Sequence, residues 1–569
     1  MKTNKPRKGR VATKQKWHNA ATSVTPQCVA EAFATSNLHG DFLHHAREVL
    51  HVFGRNPKEA KDLYIRLGTA EFGSAVEFAA WHQFGALFLK SSRRGDQGIR
   101  RERALEKFRA SEATCKRVNR RLRWFAAYPN RENPIYRVIL SRAKELISRT
   151  LGNFSEPLLE HLISLSRPGG GVCIGTRSRE CVTLPFKLGN TDLVTTPDAL
   201  PFAKRLVEGS PAWFRLVAEV NWSSLTYSVP YVLTQSNRIA TVPKDAVTDR
   251  TIAVEPHLNV CLQLGVHEYV RRRLLNVGID ITNQTDNQKL ATLGSRSWWW
   301  WNPLVTLDLA AASDSVSAAL IERLVPTEWR VYLDCLRSPK YSLDGTIYDY
   351  EKWSSMGNGY TFVLETLIFW AIGRACASLT NPRERVSVYG DDIVVSRNTA
   401  ALLIEVLKYC GFRVNPDKSH IFGPFRESCG CDVYGGWRCT PIYLRGLINL
   451  RPTDIYRVLN RASDHFRWSE VRSLLLFHHR QKCPVLYGLE NEDDTSCLFV
   501  RKLTLLRMKK ARWNPFLQSW TFLAASFRAT SRKVPPWWKL ASNLLGDRSV
   551  HFGERDTTLR RKGSWTLIR

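Results

Sequence analysis

Acidic residues are scarce in this sequence. Its 569 residues include 83 Lys and Arg but only 52 Asp and Glu, a net charge of +31 with a pI near 9.9. Such an imbalance concentrates polyanions around the chain, nucleic acid first and an anionic membrane surface second. Long apolar runs are also missing. The longest, Phe362 to Ile372, contains Glu365 and is too short for a bilayer, so no transmembrane segment is expected. No apolar leader follows Met1, and no CxxC pair occurs among the 13 scattered cysteines. Both absences predict a reduced, cytosolic setting. Cys429, Cys431, Cys439 and His420 carry zinc-type donors, but a single residue between the first two is an uncommon chelate spacing. The glycine-rich stretch from Arg167 to Ser178 lacks the GxxxxGK[ST] spacing, which excludes a Walker-type phosphate loop and leaves a flexible connection. Internal repeats and low-complexity blocks are absent.

The remainder is ordinary globular material. A hydrophobic content of 44% argues against wholesale disorder, and the length predicts several subdomains with sizeable cores. Nineteen Trp and 17 Tyr supply core, with flat faces available for stacking on unpaired bases. Residues 1–17 read as a flexible basic arm, and 28–165 as mainly helical. The densely basic stretch from Arg93 to Trp124 is either a phosphate-facing surface or an exposed helix face. Beyond Pro452 the spacing predicts a basic, aromatic-rich helical region with a polar tail from about Arg548.

Chemistry concentrates in the middle of the chain. Asn237 to Pro256 reads as strand, loop, strand, with Lys244 and Arg250 bracketing the loop; cations held on a hairpin can neutralise a triphosphate. Trp298 to Trp301 would alternate across a strand and pack. In Leu304-Val-Thr-Leu-Asp308, a strand turns Asp308 away from the core face carrying Val305 and Leu307. Ser313 or Asp314 has N-cap chemistry for the helix that follows, and Asp314 is either such a cap or a cation holder. Ser354-Ser-Met-Gly-Asn-Gly359 is a small-residue loop that lets another backbone approach, and it feeds a buried helix on which Thr361 and Glu365 share a face. Val386 to Val395 reads as two short strands joined by Gly390-Asp391, which puts Asp391 and Asp392 at a hairpin tip. Adjacent carboxylates there are either an exposed polar turn or a pair sharing a hard cation such as Mg²⁺. Three carboxylates from distant segments, with cations nearby, are the parts required for two-metal phosphoryl transfer.

In order, Val305-Thr-Leu-Asp308 with Asp314, Ser354 to Gly359, Tyr389-Gly-Asp-Asp392 and Asn415-Pro-Asp-Lys418 resemble the palm motifs of viral RNA-directed RNA polymerases. The phrases LDLAAASDSVS, SSMGNGYTF, YGDD and GPFRESCG are similar to the replicase β subunit of positive-strand RNA phages, the Qβ-like leviviruses, with the match strongest over 235–450. The resemblance implies an α+β right-hand fold whose palm is an antiparallel sheet flanked by helices, with fingers and a helical thumb. It divides the chain into a basic arm (1–24), an N-terminal helical fingers region (25–234), fingers with a basic nucleotide-entry hairpin (235–300), a palm (301–450), and a helical thumb with C-terminal tail (451–569). It implies primer-independent RNA synthesis with two Mg²⁺, or Mn²⁺, on Asp308, Asp391 and Asp392. Lys244 and Arg250 then contact the triphosphate, Asp314, Ser355 and Asn358 sense the ribose, and Lys418 protonates the departing pyrophosphate. Glu365 departs from the wider pattern, where asparagine is expected. One of Trp537 and Trp538 would stack under the initiating base pair. Implied partners are RNA template and product, ribonucleoside triphosphates, the host elongation factors EF-Tu and EF-Ts, a ribosomal protein and a further host RNA-binding factor, all in the cytoplasm of an infected bacterium and with no membrane.

Two rival readings use the same residues less fully. A reverse transcriptase shares the carboxylate trio but excludes the ribose 2′-hydroxyl with a bulky side chain, whereas Ala310 to Ala312 are small. A basic RNA-packaging protein has no use for Asp308 and Asp314 at a strand–helix junction.

Overall fold

The helix Thr361–Thr380 is apolar on nearly every side because nearly every side is covered. In this computed structural model it packs against the helices Pro134–Leu151, His257–Asn276 and Arg397–Cys410 and the strand Ser387–Tyr389. The structure describes residues 22–68, 72–90, 97–176, 187–188, 192–221, 223, 226–245, 247–444, 449–462, 465–490, 493–516, 519–529 and 555–564. The helix is longer than the apolar run that marks it, and its length and composition would suit a bilayer, but 78% of its apolar window is buried inside the protein. Burial, not length, is what makes it a core helix. Phe369 meets Phe412 edge-on at 4.8 Å, and each fully covered Leu, Ile or Phe contributes about 1.5–3 kcal/mol.

In contact with this helix lies a three-stranded antiparallel sheet, in the order Ser387–Tyr389, Asp392–Ser396, Leu304–Leu307. The expected hairpin is there. Gly390 takes φ +61°, and a Cβ on it would lie 2.5 Å from the Phe362 ring, so glycine is required for both conformation and space. A four-stranded sheet, ordered Thr346–Asp349, Lys340–Leu343, Ser236–Pro243, Asp249–Val254, contains the expected basic hairpin. Along it runs the long helix Gln97–Ala127, pinned by Arg100 to Asp249 at 3.0 Å with both side chains almost wholly covered. Much of that helix's basic face is paired: Arg101 with Asp344, Arg109 with Glu102, Lys116 with Glu351, Arg123 with Glu322. The small-residue loop admits another backbone as expected, and the structure shows it to be that of the basic hairpin. Ala253 N–H donates to the Met356 carbonyl at 2.7 Å, and a Cβ on Gly357 (φ +124°) would sit 2.0 Å from the Ala253 oxygen.

Packing joins the two ends of the chain. Val24 to Phe88 shares a hydrophobic core with Ile442 to Ala524, whereas the later part of the range 25–234 packs with the central sheet. Thr22 donates through its N–H and its Oγ1 to the Leu450 carbonyl, Leu450 N–H donates to the Val24 carbonyl, and Gln83 brackets both backbone groups of Ile442. Near the C-terminus the expected helices Pro452–Arg461, Ser469–Lys482 and Lys502–Arg507 are followed by a three-stranded antiparallel sheet, Ala511–Asn514, Ser519–Ala529 and Arg555–Ser564. Cross-strand aromatic pairing, Trp513 opposite Trp520 at 5.8 Å, wins there over helical spacing.

Two further expectations change. The glycine-rich loop is tied rather than free: the buried Lys187 ammonium donates to the carbonyls of Gly169 and Gly171. Trp298 to Trp301 form a turn, not a strand, and all four are exposed. The basic arm and Trp537 and Trp538 lie outside the described residues.

Candidate active site

Strand register brings the acidic residues together. Ile393 stands opposite Leu307 at the end of the antiparallel ladder, so Asp392 and Asp308, the next residue on each chain segment, emerge at the same end of the sheet, and Asp391 follows at the hairpin tip. All three are near enough for their charges to act on one another. The Asn415–Ser419 turn then wraps Asp308. Asn415 Nδ2 donates to Oδ1 at 3.0 Å, Lys418 Nζ to Oδ2 at 2.9 Å, and the Asp308 N–H donates to Ser419 Oγ at 3.0 Å. Behind the hairpin, Asn287 donates to the Asp392 carbonyl at 3.1 Å, and Gly390 N–H donates to Thr366 Oγ1 at 3.0 Å.

The electrostatics follow from this crowding. Burial, then Glu427, Asp391 and Asp308, push the Asp392 carboxyl up to about 7. Burial and Asp308 likewise raise Asp391. Burial pulls the Lys418 ammonium down, but the charge and hydrogen bond of Asp308, together with Glu427 and Asp391, hold it above its usual range. Among the described residues no group of three or more His, Cys, Asp or Glu side chains is already drawn around one metal point, and the Cys429, Cys431, Cys439 and His420 set is no exception. The donor chemistry of the aspartates nonetheless suits a hard cation: oxygen ligands only, mutually repelling and short of positive charge.

Cations line the approach. Partial burial first, then Arg250 and Lys418, lower the Lys244 ammonium, which shows the three sharing one region. Lys107 is lowered by burial and feels Lys61, Arg413 and Arg103. Sequence reading singled out Lys244, Arg250 and Lys418 but missed Arg413, and it counted Lys107 only as part of a basic helix. Glu427 was also missed, although it lies within the GPFRESCG phrase.

Asp314 is not a cap. The following helix, Ala318–Leu324, takes Ser317 at its N-cap. Asp314 instead receives Lys352 Nζ at 2.6 Å, and Thr251 Oγ1 reaches it at 3.5 Å. Lys352 is fully buried, 3.7 Å from Glu112 and 3.9 Å above the Phe108 ring. No sequence signal marked this lysine. Ser355 and Asn358 are adjacent but face each other: the Ser355 N–H donates to Asn358 Oδ1 at 2.7 Å, so that oxygen shapes the loop.

Glu365 lies buried beside this constellation, with Oε1 lacking a hydrogen-bond partner. Burial, opposed by a hydrogen bond to Ser313 and reinforced by Asp391 and Asp314, lifts its carboxyl to about 8. Its folded value exceeds the ordinary 4.5, so its contribution to stability is complete below that value and is lost as pH rises through about 8. Glu365→Gln should therefore flatten the decline. Between about pH 5 and pH 8.5 the melting temperature of wild type should fall several degrees further than that of the variant, measured by scanning calorimetry. Parallel curves would contradict a neutral, buried Glu365.

Residues 87–475 match the family described as RNA replicase, beta-chain. The chain is 37% identical over 430 residues to the RNA-directed RNA polymerase subunit beta of Escherichia virus Qbeta, covering 72% of this chain and 68% of that one. It is 39% identical over 379 residues to the corresponding subunit of Enterobacteria phage SP, covering 65% and 60%. It is 32% identical over 374 residues to the RNA-directed RNA polymerase beta chain of Escherichia phage MS2, covering 64% of each. The chain thus spans roughly three fifths to two thirds of the length of these relatives. Among solved structures, the RNA-dependent RNA polymerase of BmCPV at its elongation state aligns with TM-score 0.37 and 11% identity over 62% of this chain and 33% of that one. A polymerase complex inside a double-stranded RNA virus gives 0.36 and 11% over 76% and 37%. Likenesses of that size add nothing to the fold.

Proposed function

The chain belongs to the RNA replicase, beta-chain family, the RNA-directed RNA polymerases of Qbeta and related leviviruses, and from that premise we propose how its residues perform the reaction. The proposed activity is template-directed RNA synthesis from ribonucleoside triphosphates by two-metal phosphoryl transfer, begun without a primer, on a phage RNA genome in the bacterial cytoplasm. The observation that carries it is the convergence of Asp308, Asp391 and Asp392 at one end of the paired strands Leu304–Leu307 and Asp392–Ser396.

Asp308, Asp391 and Asp392 are the residues that would hold two Mg²⁺, with Mn²⁺ as the alternative. The chemistry such ions supply is activation of the attacking 3′-hydroxyl and stabilisation of the leaving oxygens. Lys244 and Arg250, joined by Lys107 and Arg413, neutralise the incoming triphosphate before it reaches the carboxylates. Lys418, kept protonated by Asp308, holds a proton within reach of the departing pyrophosphate. Asp314, fixed by Lys352, accepts from the ribose hydroxyls, and Ser355 and Asn358 shape the loop beneath. Small side chains at Ala310 to Ala312 leave room for the 2′-hydroxyl.

On this reading the central sheet with its helices is the palm, the basic hairpin and its long helix are fingers, and the C-terminal region is the thumb. The beta-chain name of its relatives points to a multi-subunit enzyme, with EF-Tu, EF-Ts, a ribosomal protein and another host RNA-binding factor as proposed partners. The test is primer-free incorporation of labelled ribonucleotides on an RNA of defined sequence, with and without host extract. Only the complementary nucleotide should enter the product; incorporation independent of template sequence, or none in either condition, would overturn the proposal.

A further inference from the structure

Four consecutive tryptophans in solvent demand an explanation. Trp298, Trp299, Trp300 and Trp301 are 40, 69, 50 and 71% exposed, and Phe422 nearby is 75% exposed. Leaving so much aromatic surface in water is costly, and a contiguous exposed apolar patch marks a binding surface. The turn is built to stay where it is. Trp300 N–H donates to the Ser297 carbonyl at 3.0 Å, Asn398 N–H donates to Asn302 Oδ1 at 2.9 Å, and Trp299 and Trp300 meet edge-on at 5.9 Å.

Charge identifies the occupant. From Asn287 to Leu307 the sequence has no acidic residue, while Lys289 and Arg296 on this stretch are exposed. Arg397 bridges the turn to Phe422: its guanidinium donates to the Trp298 carbonyl at 3.4 Å and lies 5.3 Å from the Phe422 ring centre. Aromatic faces interleaved with cations suit unpaired nucleic acid, whose bases stack while its phosphates are neutralised. Position agrees. The turn precedes the strand Leu304–Leu307, at the far end from Asp308. A surface depression of about 850 Å³ is lined by Asn415, which grips Asp308, by Arg413 and His420, and by Phe422, on which Arg397 lies.

We infer that the Trp298–Trp301 turn, with Arg296, Arg397 and Phe422, is a stacking platform for single-stranded RNA outside the catalytic cleft. The inference rests on the reading that the chain handles RNA, and it assigns a separate site for the strand.

Cross-linking a short, unstructured oligonucleotide carrying 4-thiouridine to the full chain, without nucleotides, should give adducts on the peptide holding Trp298–Trp301. Trp299→Ala with Trp301→Ala should remove those adducts and weaken oligonucleotide binding, followed by fluorescence anisotropy, by about tenfold or more. Trp299→Phe with Trp301→Phe should retain most of the binding, because stacking faces remain, and this separates stacking from folding damage. Unchanged adducts and affinity in the alanine variant would overturn the platform. So would a variant that binds RNA normally but no longer retains a protein from host extract, which would make the patch a protein interface. The binding assay contains no nucleotides, so a failed incorporation assay would leave its outcome intact, and the reverse also holds.

Discussion

Asp391→Asn should cut template-directed incorporation about a thousandfold or more, with the fold intact. The expectation follows from where the charge goes. A divalent cation contributes several kcal/mol to stabilising a phosphoryl-transfer transition state, and each 1.36 kcal/mol is a factor of about ten in rate. Asp391 is one of three carboxylates on which the proposed ions depend, and asparagine removes the charge while keeping the shape. Loss of the negative charge also relieves Asp392, whose carboxyl is raised by Asp391 among other neighbours. The variant should therefore melt no lower than wild type in metal-free buffer while losing synthesis. Steady-state incorporation and calorimetry on one preparation check both halves. Equal incorporation in the two proteins would refute the metal role; a collapsed variant would make Asp391 structural.

Lys352→Met should be the most damaging single change to stability near the site. Its ammonium lies between Asp314 and Glu112 with no solvent contact, against the Phe108 ring. Methionine keeps much of the volume but leaves two largely buried carboxylates facing each other. Breaking such a pair costs about 3–5 kcal/mol, because a desolvated charge stays behind uncompensated. Burial already raises Glu112, with Lys352 opposing that rise, so its removal should drive Glu112 further towards the protonated form. Adding Asp314→Asn to Lys352→Met should restore part of the loss, the signature of direct coupling. Thermal unfolding of the three proteins measures it. A melting temperature within a degree or so of wild type for Lys352→Met would show that the ion pair does not hold the long helix to the sheet.

What could be read from the sequence was local. Val386 to Val395 announces its hairpin because β-branched alternation and a turn glycine act over neighbouring residues, and Gly390 needs its positive φ there. Asn415 to Lys418 was legible as a motif, and the structure gives it a mechanical meaning as the grip on Asp308. The partner of Asp314 was not legible, since Lys352 is 38 positions away and nothing in its surroundings marks it. The same holds for the union of the two ends of the chain, where Val24 to Phe88 meets Ile442 to Ala524 only in the folded state. Trp298 to Trp301 misled for a different reason. Composition says tryptophan is core, but a turn closed by Asn302 and Asn398 holds these four outside. Past Ala511, helical spacing and strand alternation coexist in the same residues, and pairing with a distant strand decides between them.

The arrangement of Asp308, Asp391 and Asp392 is tested most directly by titrating Mn²⁺ into the folded chain with a ribonucleoside triphosphate and following the free-ion signal by electron paramagnetic resonance. Wild type should remove manganese from solution beyond what the nucleotide alone binds, and Asp391→Asn should leave that excess free. Identical curves for the two proteins, or no uptake by wild type above the nucleotide control, would mean that these carboxylates do not hold the ions on which the proposed reaction depends.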